Sequence, residues 1–245
     1  MQMLYHADNS LTNHPAYAQD ITPQTLVDLL SLDTNVLFAL GTKQTVLTSL
    51  ASEFSLIPAP PGTPLISHFP LRSDPPHVLA IKPEDHPALT PDLSNSRVWY
   101  SGSAHALGSN PRLVPLLRAP ADSFAADSTT DAGADALVDA ADKGGEGLWA
   151  GSALSVVTGF QTRGGARATW VGGVSLFSNE FAEKAQLGAH PDAPSGNKVF
   201  ARDVAAWAFQ ESLVLRVDNV THHRVGESTP RDRYTTGEEI VSSLI

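Results

Sequence analysis

Asn35 to Leu40 reads NVLFAL, an almost unbroken apolar run. Successive strand side chains point to opposite faces, so a run apolar at nearly every position predicts a strand buried on both sides. Ile21 to Leu32 predicts a helix before it. Thr22 stands at the N-cap and Pro23 at the first helical position, where its missing N–H costs nothing. Leu26, Val27, Leu29 and Leu30 supply the apolar face. Gly41 ends the strand, and Lys43 to Phe54 predicts a second helix with Val46, Leu47, Leu50 and Phe54 on one side. Helix, strand, helix with short joints is the pattern of a doubly wound α/β sheet.

Composition narrows the function. The 245 residues suffice for one sizeable α/β domain or two small ones, and the 42% hydrophobic share can build a core. Net charge is −10, whereas nucleic-acid partners carry clustered Lys and Arg and anionic membrane surfaces attract them. With no cysteine, thiol catalysis, disulfides and cysteine metal sites are excluded within this segment. MQMLYHADNS lacks the basic and apolar regions of a signal peptide. No apolar run approaches the about 20 residues that span a bilayer, so the chain as it stands is expected to be soluble.

Further along, proline-rich Pro58 to Pro76 predicts no regular structure. His77 to Ile81, Val98 to Tyr100 and Leu113 to Arg118 predict strands, with a loop over Pro83 to Pro91. Ala121 to Gly147 is Ala, Asp, Gly and Ser with few apolar anchors, and predicts a disordered insertion. It holds six Asp, but not at calcium-loop spacing. Ser152 to Phe160 and Ala166 to Val171 predict a hairpin around the turn Thr162 to Gly165. A helix is expected from about Ser178, with Phe181 and Ala185 on one face. Another spans Asn197 to Glu211, with Phe200, Val204, Trp207 and Ala208 at helical spacing. Ser212 to Val217 predicts a strand.

Four groupings invite a chemical reading. Gly173-Val174-Ser175 fits the first half of a nucleophile elbow, with His222 or His223 as base and Asp218 as orienter. Phe177 stands where the elbow needs its last glycine, and the opposing reading is a glycine-rich joint packed under the sheet. Gly41-Thr42-Lys43 opens a helix after a strand and suits a phosphate, but lacks the glycine spacing of phosphate-binding motifs, so it reads as an ordinary helix entry. In THHRVGES, His222 and His223 are adjacent and point to opposite strand faces, which argues against one shared metal. That segment reads as a structural corner or interface. Gly226 turns the chain there, and Arg224 and Glu227 are expected to pair with each other or across an interface. Asn219 heads the N-x-[ST] sequon Asn219-Val220-Thr221, a candidate glycosylation site.

The C-terminal third then resembles a known family. TGFQTRGGARATWVGGVSLFSNEF carries Gly159, Gln161, Arg163, Ala166 and Arg167 in a G-x-Q-x-R-x-x-A-R stretch, with Phe177, Ser178 and Phe181 following. After it come the S-G-N of Ser195 to Asn197, the W-x-F of Trp207 and Phe209, Val214 to Val217, and H-H-R-V-G-E over His222 to Glu227. In this order and spacing, from Ser152 to about Val241, the chain resembles the oligosaccharyltransferase beta subunit of wheat-germ-agglutinin-binding-protein type. The resemblance implies a flavodoxin- or glutamine-amidotransferase-like three-layer α/β domain, N-terminally incomplete, followed by the start of a β-rich domain. Its expected parts are 1–120, the insertion 121–148, the remainder 149–217, and a linker with the start of the second domain over 218–245. The implied role is a non-catalytic scaffold subunit, without cofactor or metal, in the complex that moves a dolichyl-diphosphate-linked glycan to Asn of nascent proteins. The implied partners are the other subunits, the catalytic one included, and the implied place is the luminal side of the endoplasmic reticulum membrane. The family's signal peptide and C-terminal membrane helix are not found in this chain. Two rival readings are a serine hydrolase using Ser175, and a soluble carbohydrate-binding module with exposed aromatics such as Trp99 and Tyr100.

Overall fold

The computed structural model describes residues 2–4, 22–67, 77–125, 149–183, 194–214, 220–227 and 229–244. They divide into two compact units, 1–212 and 213–245.

The first unit is mixed α/β. Its central sheet joins β1 (Gln2–Leu4), β2 (Val36–Ala39), β11 (Arg167–Val171), β10 (Leu154–Gln161), β7 (His105–Leu107) and β3 (Leu56–Pro58), with β8 (Leu113–Arg118) also paired to β10. β1, β2 and β11 run parallel, with Val36 opposite both Gln2 and Ala168. Every other pairing is antiparallel. The doubly wound expectation therefore holds only around β2. The β10–β11 hairpin reverses the direction beside it, and β10 shifts register against β8 near Val157, as a bulged strand does. Two short pairs stand apart, β4 (Leu65–Ile66) with β9 (Phe124–Ala125) and β5 (Leu79–Ile81) with β6 (Val98–Tyr100).

The helices begin where their caps dictate. Thr22 accepts from Thr25 N–H and Thr25 answers to the Thr22 backbone, which starts α1 (Pro23–Ser31). Asp33, in the left-handed region, ends it while the Thr34 N–H returns to Leu29 O. Thr45 and Thr48 form the same reciprocal cap on α2 (Val46–Glu53), so the helix starts three residues later than Lys43. α3 is Asn179–Glu183 and α4 is Asn197–Ala208.

Within NVLFAL, Val36 to Leu40 are all buried, and the strand divides two cores. Val36, Phe38 and Leu40 join Leu26, Leu30, Leu47 and Leu50 of α1 and α2 on one face, with Trp170 stacked on Phe38. Leu37 belongs to the other face with Val157, Val171 and the Phe200, Val204 and Trp207 side of α4. Some expectations need correction. β4 and β9 lie where no regular structure is expected, and β3 and β7 fall almost wholly in stretches without an expected element, because each is two or three residues long and carries no alternating pattern. A 3-10 turn, Val174–Phe177, precedes α3. Helix α4 ends at Ala208, since Gln210 turns left-handed. The described part of Ser212 to Val217 is bend rather than strand, and 215–217 lie outside the described residues. Ala185 and residues 126–148 of the insertion lie outside them as well.

The second unit holds β12 (Val220–Arg224) and β13 (Ile240–Leu244), an antiparallel pair with His222 opposite Ser242.

Candidate functional site

Three backbone segments meet beyond the carboxyl ends of β2 and β11: Gly41, Ser101 to Ser103, and Gly172-Gly173. Ser103 N–H donates to Gly172 O at 2.8 Å, and its hydroxyl reaches Gly172 O at 3.1 Å and Gly41 O at 3.3 Å. The approach is so close that a Cβ on Gly172 would fall 2.0 Å from Ser103 O, and one on Gly173 2.2 Å from Ser101 O. Tyr100, fully buried, donates its hydroxyl to Ser103 O, and burial raises its pKa well above the ordinary phenol value. Ser175 sits in the 3-10 turn with its hydroxyl donated to Ser101 O at 2.6 Å. The elbow reading is thereby corrected. Ser175 is not at a sharp strand-to-helix turn, and its proton already serves the joint between the two glycines and Ser101. Asp218 lies outside the described residues.

Beside this joint a cavity of about 240 Å³ opens between Gly41 to Gln44, one face of α2, Pro58 to Pro61, and Ser103 to His105, with Trp149 at its wall. His105 is fully buried and its ring is held by a directional chain. Ser155 Oγ donates to carbonyls, to Leu117 O at 3.1 Å or Val157 O at 3.0 Å. Thr158 donates to Ser155 Oγ at 2.8 Å. Thr158 Oγ1 must then accept from His105 Nε2–H, 2.8 Å away. The neutral ring therefore carries its proton on Nε2 and leaves Nδ1 as a lone pair with no partner. Burial lowers the His105 pKa to about 4. Such an unpaired acceptor costs about 1–3 kcal/mol. Nothing in the short stretch HAL marks His105; only the fold brings it to Thr158.

In the second unit Thr221 to Glu227 supply most of β12 and the turn after it, where Gly226 has φ +86°, and Ser228 lies outside the described residues. Tyr234 donates its hydroxyl to His222 O at 2.9 Å, so His222 Nδ1, 2.6 Å from the Tyr234 hydroxyl oxygen, is the donor of the second bond. The rings meet edge to face. The expected Arg224–Glu227 pair is not formed. Arg224 instead meets Glu238 at 3.6 Å, from the segment leading into β13, and Glu227 pairs with Arg231. His223 is half-buried on the same strand. Asn219 lies outside the described residues. Among the described residues no group of three His, Asp or Glu is placed to hold a metal ion, and no helix is long and apolar enough to cross a membrane.

Several residues that gave the sequence its resemblance hold the fold together. A Cβ on Gly159 would lie 2.3 Å from the Trp207 ring, so glycine lets α4 lie flat on β10. Arg167, 2% exposed, stacks on Trp207 at 4.8 Å and donates to Trp207 O at 2.6 Å and Ser212 O at 2.8 Å. One of these carbonyls lies in the last turn of α4, where it also accepts from Gln210 N–H at 3.2 Å, and the other lies just past the helix. Asn197 donates to Trp99 O at 2.8 Å and Leu176 O at 3.0 Å and accepts from Trp99 N–H at 2.7 Å. Trp99 and Tyr100 are 1% and 0% exposed, so the carbohydrate module with these as exposed platforms is corrected: the β5–β6 pair is packed into the core.

A family model described as "OST48, N-terminal domain" matches residues 12–211. Among curated proteins the chain is similar to the dolichyl-diphosphooligosaccharide–protein glycosyltransferase 48 kDa subunit of Danio rerio, 36% identical over 94 residues, or 37% of this chain and 21% of that one. The same subunit of Caenorhabditis elegans is 38% identical over 99 residues, covering 39% and 22%. Subunit wbp1 of the same glycosyltransferase in Schizosaccharomyces pombe is 29% identical over 154 residues, covering 60% and 31%. The chain thus spans under a third of the length of these relatives. Among solved structures the mmIFT52 N-terminal domain superposes with a TM-score of 0.53 at 11% identity, over 79% of this chain and 72% of that one, a likeness of fold alone.

Proposed function

The chain belongs to the OST48 N-terminal domain family, and on that premise we propose that it is a non-catalytic scaffold subunit of oligosaccharyltransferase. It supports transfer of a dolichyl-diphosphate-linked glycan to Asn of nascent proteins. The observation that carries this reading is the family match across residues 12–211. The site geometry is consistent with it. Residues that carry the resemblance, Gly159, Arg167 and Asn197, are spent on packing α4 and β6, and the Ser175 hydroxyl is committed to a carbonyl.

Its partners are the other subunits, the catalytic one included, and its place is the luminal side of the endoplasmic reticulum membrane. Attachment to that membrane runs through a C-terminal helix. The first unit is a variant of the flavodoxin- and glutamine-amidotransferase-like three-layer domain, a reading supported by apolar clusters on both faces of β2. Residues 121–148 are an insertion within it, and 218–245 begin a β-rich domain. His222, His223, Arg224, Gly226 and Glu227 form a corner that meets a neighbouring subunit, a reading supported by the exposed Val225, Ile240 and Val241 beside it. Asn219 is a glycosylation acceptor.

Depletion of the protein in its own cells tests the role. Secreted glycoproteins are expected to lose occupancy at their sequons, and re-expression restores it. Full occupancy after depletion contradicts the proposal.

A further inference from the structure

We propose that the turn from His86 to Leu89 is an acid-released latch, held at neutral pH by His86 Nδ1 and opened when that nitrogen takes a proton. The Ala88 N–H donates to His86 Nδ1 at 3.1 Å, and the Leu89 N–H donates to His86 O at 2.9 Å. Pro87 stands at the second position of this turn, where its fixed φ is suited. The first position ordinarily carries Asp, Asn or Ser, whose side-chain oxygen accepts from the amide two residues on. Here a histidine takes that place, and its acceptor is one that titrates close to neutral pH. An imidazolium carries protons on both nitrogens and accepts nothing. The capped turn and the charged ring are therefore mutually exclusive states.

The surroundings support each state. In the closed one, Ala88 and Leu89 are buried in the core with Leu93. Thr90, next in the chain, is fastened to α4: its N–H donates to Asp203 at 2.7 Å, and its hydroxyl oxygen accepts from Arg202 at 3.3 Å. Burial disfavours the charged ring and lowers the His86 pKa, which keeps the latch shut at neutral pH. For the open state, a cavity of about 430 Å³ lies against His86, and the charged side chains that line it beside the ring are Glu84 and Asp85. A protonated ring that leaves the cap thus has two carboxylates in the same cavity. The neighbouring cations are engaged, Arg118 of β8 with Glu84 at 3.9 Å and Arg202 with Asp203 at 3.2 Å. The Asp203 bond to Thr90 does not involve the ring, so the opening is confined to the residues before it.

The latch goes beyond the scaffold role proposed above and does not depend on it. Its test is a nuclear magnetic resonance titration of the full 245-residue chain from about pH 7 to about pH 4.5. At the neutral end the His86 ring is expected to carry its proton on Nε2. As pH falls, the Ala88 and Leu89 amide signals are expected to leave their closed positions along one curve with the ring, at a midpoint below 6.5, while the Leu37 and Phe38 amides of β2 keep theirs. His86→Asn retains an oxygen for the Ala88 N–H and cannot titrate, so its Ala88 and Leu89 signals are expected to stay in place over the same range. A neutral ring with its proton on Nδ1, a ring that stays neutral to the acid end, or a ring that titrates without moving the Ala88 amide overturns the latch. So does an Ala88 shift that persists in His86→Asn. If that variant does not fold, the readings on the unaltered chain still decide. None of these outcomes bears on sequon occupancy, so the scaffold role stands or falls separately.

Discussion

Single residues decide how α4 meets the sheet. Gly159 lies under the Trp207 ring with no room for a Cβ. Gly159→Ala should destabilise the first unit by about 1–3 kcal/mol through overpacking, read as a lower urea midpoint with an unchanged slope. Arg167→Met should cost about 2 kcal/mol, because the Ser212 carbonyl loses its charged donor and Trp207 its cation. Wild-type midpoints in both variants would remove these residues from the scaffold. His105 adds a pH dependence. Its folded pKa of about 4 lies below the unfolded value near 6.5, so between those values the unfolded chain binds the extra proton. Stability from this group is complete above pH 6.5 and is lost as pH falls toward 4, by at most about 1.4 kcal/mol per pH unit. His86, whose pKa burial also lowers, adds a slope of the same sign. His105→Gln should flatten that part of the acid limb in urea titrations from pH 7 to 4. An unchanged limb would mean that the ring is not buried neutral.

Among elements, β6, the 3-10 turn at Val174–Phe177 and the start of α4 are tied through one side chain. Asn197→Ala would leave the Trp99 N–H and O and the Leu176 O short of a partner. A loss of about 2–4 kcal/mol is expected, with hydrogen exchange accelerated at the Trp99 amide before the rest of the core. Uniform exchange would place the fastening elsewhere. The sequence announces the elements that own their signals. Thr22-Pro23 starts α1, NVLFAL is buried as its pattern demands, and the TRGG turn reverses the chain where its glycines allow, Gly165 at φ +107°. It is silent on β3, β4, β7 and β9, which are too short for periodicity and exist because neighbours pair with them. Gly41-Thr42-Lys43 reads as an ordinary helix entry, and the buried contact between His105 and Thr158 near it is one that no spacing reports. The Arg224 partner was missed for a similar reason, since Glu238 is brought near by the β12–β13 pairing.

At the scale of the whole molecule, an α/β unit with cores on both faces of β2 is followed by a separate two-stranded unit that leaves Val225, Ile240 and Val241 in solvent. A pair of strands is marginal by itself in water, and its apolar surface is consistent with further chain or another subunit covering it. The net charge of −10 fits neither nucleic acid nor an anionic lipid surface as that cover. Membership in the OST48 N-terminal domain family directs the search for partners to the oligosaccharyltransferase complex. The proposed role is that of a subunit within that complex. The direct measurement is to tag the chromosomal copy, purify it under native conditions in mild detergent, and identify what accompanies it by mass spectrometry. The catalytic oligosaccharyltransferase subunit is expected in near-stoichiometric amount, with glycan transfer to an acceptor peptide in the same fraction. Purification free of that subunit and of transfer activity would contradict it.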